Sequence, residues 1–271
     1  MTIEELIIYG KKYISSTETK MLLGKATGYD FLELINHLNE KVSNNQESEF
    51  KRLIEIRMNN KPTQYIINST CFYGIDLYVN ENVLIPRFET EELVENTLKI
   101  IEGQMNNPKV LDLCCGSGAI AIAIKNKLPN SKVTMSDISS KALEVAKINK
   151  DKYDLEIEII ESDLFQSIND KYDVIISNPP YIKTNEEIDL LVKENEPALA
   201  LYAGDDGLYF YDKILSTISN HLNDRYLIAF EIGETQKNDI FKLIDKYLPN
   251  TNYICKKDLS NRDRMIFITN K

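Results

Sequence analysis

The 271-residue chain is poor in the residues that several function classes depend on. It has two histidines and four cysteines, at positions 71, 114, 115 and 255. The adjacent pair Cys114–Cys115 forms no CxxC spacing, so a structural zinc site is not expected. A disulfide framework is not expected either, because the chain is large and reads as cytoplasmic. Ten glycines and eight prolines exclude collagen-like and Gly-rich low-complexity classes. No run of about 18 apolar residues is present, so no membrane span is expected. The start, MTIEELIIYGKKY, carries acids before its first lysine. It lacks the basic flank of a signal peptide and the Arg-rich pattern of a transit peptide. Positive charge is also scarce: 32 Lys and Arg stand against 42 Asp and Glu, a net charge of -10. Phosphate neutralisation is therefore a poor basis for binding, and neither nucleic acid nor membrane is expected as a partner.

What is present is ordinary globular material, 43% apolar and 27% charged, enough for more than one average domain. Thr2 and Glu5 form a capping-box pattern ahead of Leu6, Ile7 and Ile8. Asp30 is placed to cap FLELINHLNEKV, where Phe31, Leu34, Ile35 and Leu38 recur at helical spacing. A third helix spans 46–59, and Pro62 closes it. Residues 64–79, QYIINSTCFYGIDLYV, are β-branched and aromatic around Gly74 and read as a strand pair. The division expected is a helical domain over 1–60, a β-hairpin linker over 61–83 and a larger domain over 84–271. In that larger domain strands at 109–114, 132–137, 156–163, 172–181 and 225–233 alternate with helices. This predicts an α/β fold with a mostly parallel sheet covered on both faces. The last two strands, 251–257 and 264–269, lack a helix-length crossover and are expected as an antiparallel edge pair.

Ligands of such sheets bind at the carboxyl ends of the strands, and the chemistry-bearing residues gather there. LDLCCGSGAIAIAI (111–124) runs from a strand ending near Asp112, through a turn with Gly116 and Gly118, into an Ala/Ile helix. Either a tight structural turn or a ligand cradle is consistent with it. Glycine lets a ligand approach the backbone, and the helix N-terminus offers N–H groups to an anion. Asp137 ends the next strand, nineteen residues beyond Gly118. That is close to the spacing of an acid that binds ribose hydroxyls, although a helix cap is the plainer role, one that Ser139 can also fill. Asp163 ends the third strand, as a loop carboxylate or as part of the same rim. After the fourth strand comes Asn178-Pro179-Pro180-Tyr181. Two prolines at a strand end cannot donate to the ladder and leave carbonyl groups unpaired. With the Asn178 amide oxygen and the flat face of Tyr181, they make a slot for a planar group bearing an NH2.

These four motifs together resemble the Rossmann-like S-adenosylmethionine methyltransferases, and NPPY resembles the mark of those acting on amide or exocyclic amino nitrogens. RMNNKPTQYIINSTCFYGIDLYVNENVLIPRFETEELVE (57–95), ENEPALALYAGDDGLYFYDKI (194–214), EIGETQ (231–236) and NRDRMI (261–266) resemble the PrmC/HemK family of peptide chain release factor N5-glutamine methyltransferases. The resemblance runs from about residue 57 onward; the first 56 residues match it in position and helical character. Three positions depart from the family pattern: Cys114 and Asn261 where glycine is usual, and Phe88 where proline is usual. A left-handed backbone at Cys114 would be strained. The resemblance implies transfer of a methyl group from S-adenosyl-L-methionine to the glutamine of the GGQ loop of class I release factors, with S-adenosyl-L-homocysteine as product and no metal. It implies catalytic roles for Asn178, Pro179, Pro180 and Tyr181. Cofactor contacts fall to Asp112, Cys114, Cys115, Gly116, Ser117, Gly118, Asp137, Asp163, Leu164 and Asn178. Arg87 and Thr90 are expected near the methionine part or the incoming loop, with surface charge and helix capping as their plainer roles. The helical domain is expected to recognise the substrate, and the protein to act as a monomer. Methylation of another protein glutamine or asparagine, or of DNA adenine N6, uses the same slot and stays open. A nicotinamide dehydrogenase has no use for NPPY.

Overall fold

The structure, a computed structural model, describes residues 1–270. Four helices open the chain: α1 (Ile3–Gly10), α2 (Ser16–Thr27), α3 (Phe31–Asn36) and α4 (Asn44–Met58). Thr2, Ser15, Asp30 and Ser43 cap them in turn, and Glu5, Glu18, Glu33 and Gln46 return the bond in four complete capping boxes. There follow α5 (Thr63–Ile67), β1 (Thr70–Phe72), β2 (Ile75–Leu77), α6 (Phe88–Ile101), β3 (Lys109–Leu113), α7 (Ala119–Lys127) and β4 (Lys132–Asp137). Then come α8 (Ser140–Lys152), β5 (Ile157–Glu161), β6 (Tyr172–Ser177), α9 (Leu190–Asn195) and α10 (Tyr209–Thr217). The chain closes with β7 (Leu222–Glu231), α11 (Lys237–Tyr247), β8 (Thr251–Lys257) and β9 (Asp263–Asn270).

The chain divides into two compact units. One comprises Met1–Ser69 with Asp189–Asn195, and the other comprises Thr70–Ile188 with Glu196 onward. In the first, Ile3 and Leu6 of α1, Leu22 and Leu23 of α2, and Phe50, Leu53 and Ile54 of α4 form the core with Leu34. Helix α3 has six residues and brings only Leu34 into that core. Phe31 and Ile35, which recur with Leu34 at helical spacing, are 54% and 44% exposed. The strand pair expected over 64–79 is shorter. Residues Thr63–Ile67 are helical, and Asn68 ends that turn in a left-handed conformation. The hairpin pairs only Thr70–Phe72 with Ile75–Leu77, in register Thr70 to Leu77. Pro62 fixes φ at -56° just ahead of α5 and starts a helical turn that the β-branched composition concealed.

The second unit is built on a seven-stranded sheet of order β5-β4-β3-β6-β7-β9-β8. The five strands from β5 to β7 pair in parallel, and β9 is antiparallel to both β7 and β8. Alternation along each strand feeds two separate cores, because successive side chains leave on opposite faces. Val110, Val174, Ile176, Leu227 and Ala229 pack on one face with α6, α7 and α8. Leu111, Leu113, Ile175, Ile228 and Phe230 pack on the other with α10 and α11. The strand order reverses between β3 and β6, so a crevice opens beyond their carboxyl ends, where open α/β sheets bind ligands.

Candidate functional site

The turn after β3 makes one wall of that crevice. Cys114, Gly116 and Gly118 all have positive φ, at 63°, 54° and 78°. The strain expected at Cys114 is present, and a non-glycine residue bears it at roughly 1–2 kcal/mol. The two glycines differ in what surrounds them. A Cβ on Gly118 would meet Met135 Sδ at 3.0 Å and Ala146 Cβ at 3.3 Å, so this glycine permits close packing of α7. A Cβ on Gly116 would meet nothing within 4 Å. Burial, and next the charge of Asp137, push the Cys114 thiol far up, so it stays protonated and inert at neutral pH.

Asp112 is fully buried. Its Oδ2 accepts from Ala121 N at 3.0 Å and ties the first turn of α7 to β3. Its Oδ1 is buried without a hydrogen-bond partner among the described residues. Burial pushes its carboxyl up to about 7; the Ala121 bond opposes this and the Asp137 charge adds to it. Asp137 does not cap α8, since Ser139 holds that position and accepts from Ala142 N. Instead Asp137 Oδ2 accepts from Gly116 N and Oδ1 from Ser139 N, each at 2.9 Å. Burial raises its pKa against those bonds. Asp163 is exposed and accepts from Gln166 Nε2, while Leu164 beside it has φ 49°. Ser162 pins this turn by donating to Leu164 O at 2.7 Å and accepting from Ser167 N at 2.9 Å.

A cavity of about 300 Å³ lies over these strand ends. Of the residues expected from the sequence, Cys114, Cys115, Gly116, Ser117, Asp137, Asp163, Leu164, Asn178 and Pro180 line it. Asp112, Gly118, Pro179 and Tyr181 lie outside that lining. Asn178 donates from Nδ2 to Thr90 Oγ1 at 3.2 Å, which commits the nitrogen end of its amide to the protein. Tyr181 is half-buried, with its hydroxyl 3.5 Å from Glu231 Oε1 and its carbonyl accepting from Gln236 Nε2 at 3.0 Å. Burial, and then the charge of Glu231, hold its phenol protonated.

Sequence reasoning missed two further stretches of the lining, Asn82, Val83, Leu84 and Pro86 in one and Pro197, Leu199, Ala200, Tyr209 and Phe210 in the other. Neither segment has a periodic pattern. Glu196 joins them: its side chain, 2% exposed, accepts from Ile85 N at 3.2 Å and from Arg87 Nη2 at 2.5 Å. Arg87, which lies outside the cavity lining, is thus tied to the segment that carries Pro197 and Leu199. Thr90, by contrast, does line the cavity. Among the described residues no group of three or more His, Cys, Asp or Glu is placed to hold a metal ion. Nor is any helix among them long and apolar enough to cross a membrane.

Two family signatures fall on this geometry. Residues 13–67 match the PrmC N-terminal domain, and residues 90–196 match the methyltransferase small domain. A 16S rRNA N2 methyltransferase of T. thermophilus, solved in complex with AdoMet and guanosine, superposes with a TM-score of 0.56 at 13% identity. That match covers 75% of this chain and 50% of the other, a likeness of fold. The release factor glutamine methyltransferase of Streptococcus pneumoniae is 39% identical over 98% of this chain and 94% of its own length. That of Clostridium botulinum is 35% identical over 98% of both chains. Identity at that level along nearly the whole length of both proteins places the chain in the release factor glutamine methyltransferase family.

Proposed function

We propose that the protein transfers a methyl group from S-adenosyl-L-methionine to the side-chain amide nitrogen of a glutamine in a class I peptide chain release factor. The observation that carries this reading is the orientation of Asn178. Its nitrogen end is bonded to Thr90, which leaves Oδ1 as the acceptor at the cavity wall.

The cavity suits the cofactor. Its volume of about 300 Å³ is at the lower end of the range of small-molecule sites. The backbone of Cys114–Gly118 is assigned to the methionine moiety, with Gly116 open to close approach. Asp137 is assigned to the ribose hydroxyls, and Asp163 with Leu164 to the adenine. When bound, the cofactor supplies an electrophilic methyl group on a sulfonium centre. A glutamine amide nitrogen is a poor nucleophile, because its lone pair is delocalised into the carbonyl. The contribution of this chain is therefore orientation. Asn178 Oδ1 and the Pro179 carbonyl accept from the glutamine NH2 and favour a more tetrahedral nitrogen. Pro180 stiffens the turn, and Tyr181 packs behind it. Ideal orientation can supply up to roughly 7–11 kcal/mol. Acceptors that strengthen as positive charge develops on the nitrogen add to this. The proton leaves after transfer, so no strong base is required.

Release factors are assigned as substrate on the strength of the named relatives. The helical unit is assigned to docking them. In support, α3 leaves Phe31, Leu32 and Ile35 exposed, apolar surface that suits a protein partner. Label transfer tests the reading. Methyl-labelled cofactor should mark an intact release factor but not the same factor with its loop glutamine changed to alanine. Equal labelling of both would refute it.

A further inference from the structure

Both ends of the NPPY tetrapeptide lead to one carboxylate. Glu231 ends β7 and is 1% exposed. Its Oε2 accepts the hydroxyl proton of Thr90 at 2.6 Å, and its Oε1 faces the Tyr181 hydroxyl. Thr90, buried on α6, accepts in turn from Asn178 Nδ2. Thr90 is not the cap of α6, because Arg87 occupies that position and no side chain caps the helix.

A hydroxyl has a single proton. While Glu231 is a carboxylate it can only accept, so the Thr90 hydroxyl donates its one hydrogen bond to it. Thr90 can then only accept from Asn178, and the amide must turn its nitrogen toward Thr90 and its oxygen toward the cavity. If Glu231 carried a proton, it could donate to Thr90. The hydroxyl would then be free to donate to Asn178 Oδ1, and the amide would rotate to present its NH2. Facing the NH2 of a glutamine, that arrangement sets donor against donor.

We propose that Glu231 is a positioning residue that acts through Thr90 to fix which end of the Asn178 amide meets the substrate. This rests on the reading that Asn178 accepts from a glutamine amide. The groups facing Glu231 are Thr90 and Glu89 of α6, Tyr181 of the tetrapeptide loop, Tyr211 of α10 and Arg264 of β9. Tyr211 donates to the Glu231 backbone carbonyl at 2.7 Å. Arg264 is held by Asp258 Oδ2 at 3.3 Å and by Ile232 O at 3.0 Å. Burial dominates and pushes the Glu231 carboxyl up to about 7, against the Thr90 bond and the Arg264 charge. Both protonation states are therefore reached near neutral pH.

The test compares wild type with Thr90→Val, Thr90→Ser and Glu231→Gln on intact release factor, with cofactor affinity measured by calorimetry. Thr90→Val removes the relay at constant shape. It should lower kcat at least about tenfold, the size of one hydrogen bond of about 1.4 kcal/mol, while KM and cofactor affinity stay within about twofold. Thr90→Ser, which keeps the hydroxyl, should recover most of the rate. Wild-type kcat should fall as pH drops through about 7, and Glu231→Gln should lose that limb. With isotope-labelled asparagine, the Asn178 side-chain amide signal should shift over the same pH range in wild type and not in Thr90→Val. If Thr90→Val fails to fold, the wild-type pH limb and amide signal decide the matter. An unchanged kcat in folded Thr90→Val, a pH limb that persists in Glu231→Gln, or an amide signal indifferent to pH overturns the relay. Absence of transfer by the wild type overturns the underlying reading instead, and is recognised because no variant is involved.

Discussion

Gly116 N donates to Asp137 Oδ2 at 2.9 Å, so the turn after β3 is locked to the end of β4 by a side chain that also lines the cavity. One carboxylate therefore braces the turn and faces the cavity. It accepts from the backbone N–H groups of Gly116 and Ser139, and ribose hydroxyls would add donors to the same acceptor.

Asp137→Ala should weaken S-adenosylmethionine binding by about 1.5–3 kcal/mol, one to two decades in affinity. Calorimetric titration measures this directly. An unchanged dissociation constant would leave Asp137 as a brace for Gly116 and nothing more.

The two turn glycines should separate stability from binding. Gly116→Ala places its methyl in open space within the cavity lining, with φ 54° as its strain. It should cost roughly 1–2 kcal/mol of stability and reduce cofactor affinity at least tenfold. Gly118→Ala adds a clash with Met135 and Ala146 to a φ of 78°. It should lose more stability, roughly 2–4 kcal/mol, through overpacking plus strain. Thermal melts read beside calorimetry check the pair; larger destabilisation by Gly116→Ala would contradict the assignment.

The alternation of apolar strands and amphipathic helices over 109–269 was legible because period 2 and period 3.6 leave direct traces in sequence. The cavity acids and NPPY were legible because strand ends converge at one edge of a parallel sheet. The ties that orient them were not. Thr90 and Glu231 are 141 residues apart, and Arg87 and Glu196 are 109 apart, so no local pattern connects them. The helix Thr63–Ile67 was misread for a related reason: its β-branched composition favoured a strand, while Pro62 and Asn68 set its boundaries. At Asp137 the sequence left cap and ligand roles open, and the structure gives the cap to Ser139 and places Asp137 in the cavity lining.

Asp112 offers a stability test with a defined sign. Its folded pKa, about 7, lies above the ordinary carboxylate value of 3.8. The native state therefore holds the proton more tightly than the unfolded state. The stability this confers is present at low pH and is lost as pH rises through about 7. Asp112→Asn removes that loss. Its melting temperature relative to wild type should climb by a few degrees between about pH 4 and pH 7 and then level off. A difference that stays constant across the range would mean that Asp112 does not titrate there.

Asn178→Ala should preserve the fold, since the side chain is half-buried and its bond among the described residues is to Thr90. Loss of the acceptor and of the orientation it imposes should lower single-turnover transfer by about a hundredfold or more. Cofactor affinity should fall less, by under about tenfold. Transfer near the wild-type rate would remove the slot from the mechanism.

The most direct measurement is peptide-resolved mass spectrometry of a purified class I release factor after incubation with this protein and S-adenosylmethionine. One added methyl group on the glutamine of the GGQ loop is predicted, absent when Asn178→Ala replaces the wild type for the same time. A methyl group on any other residue, or an unmodified loop glutamine after prolonged incubation with cofactor-binding enzyme, would contradict it.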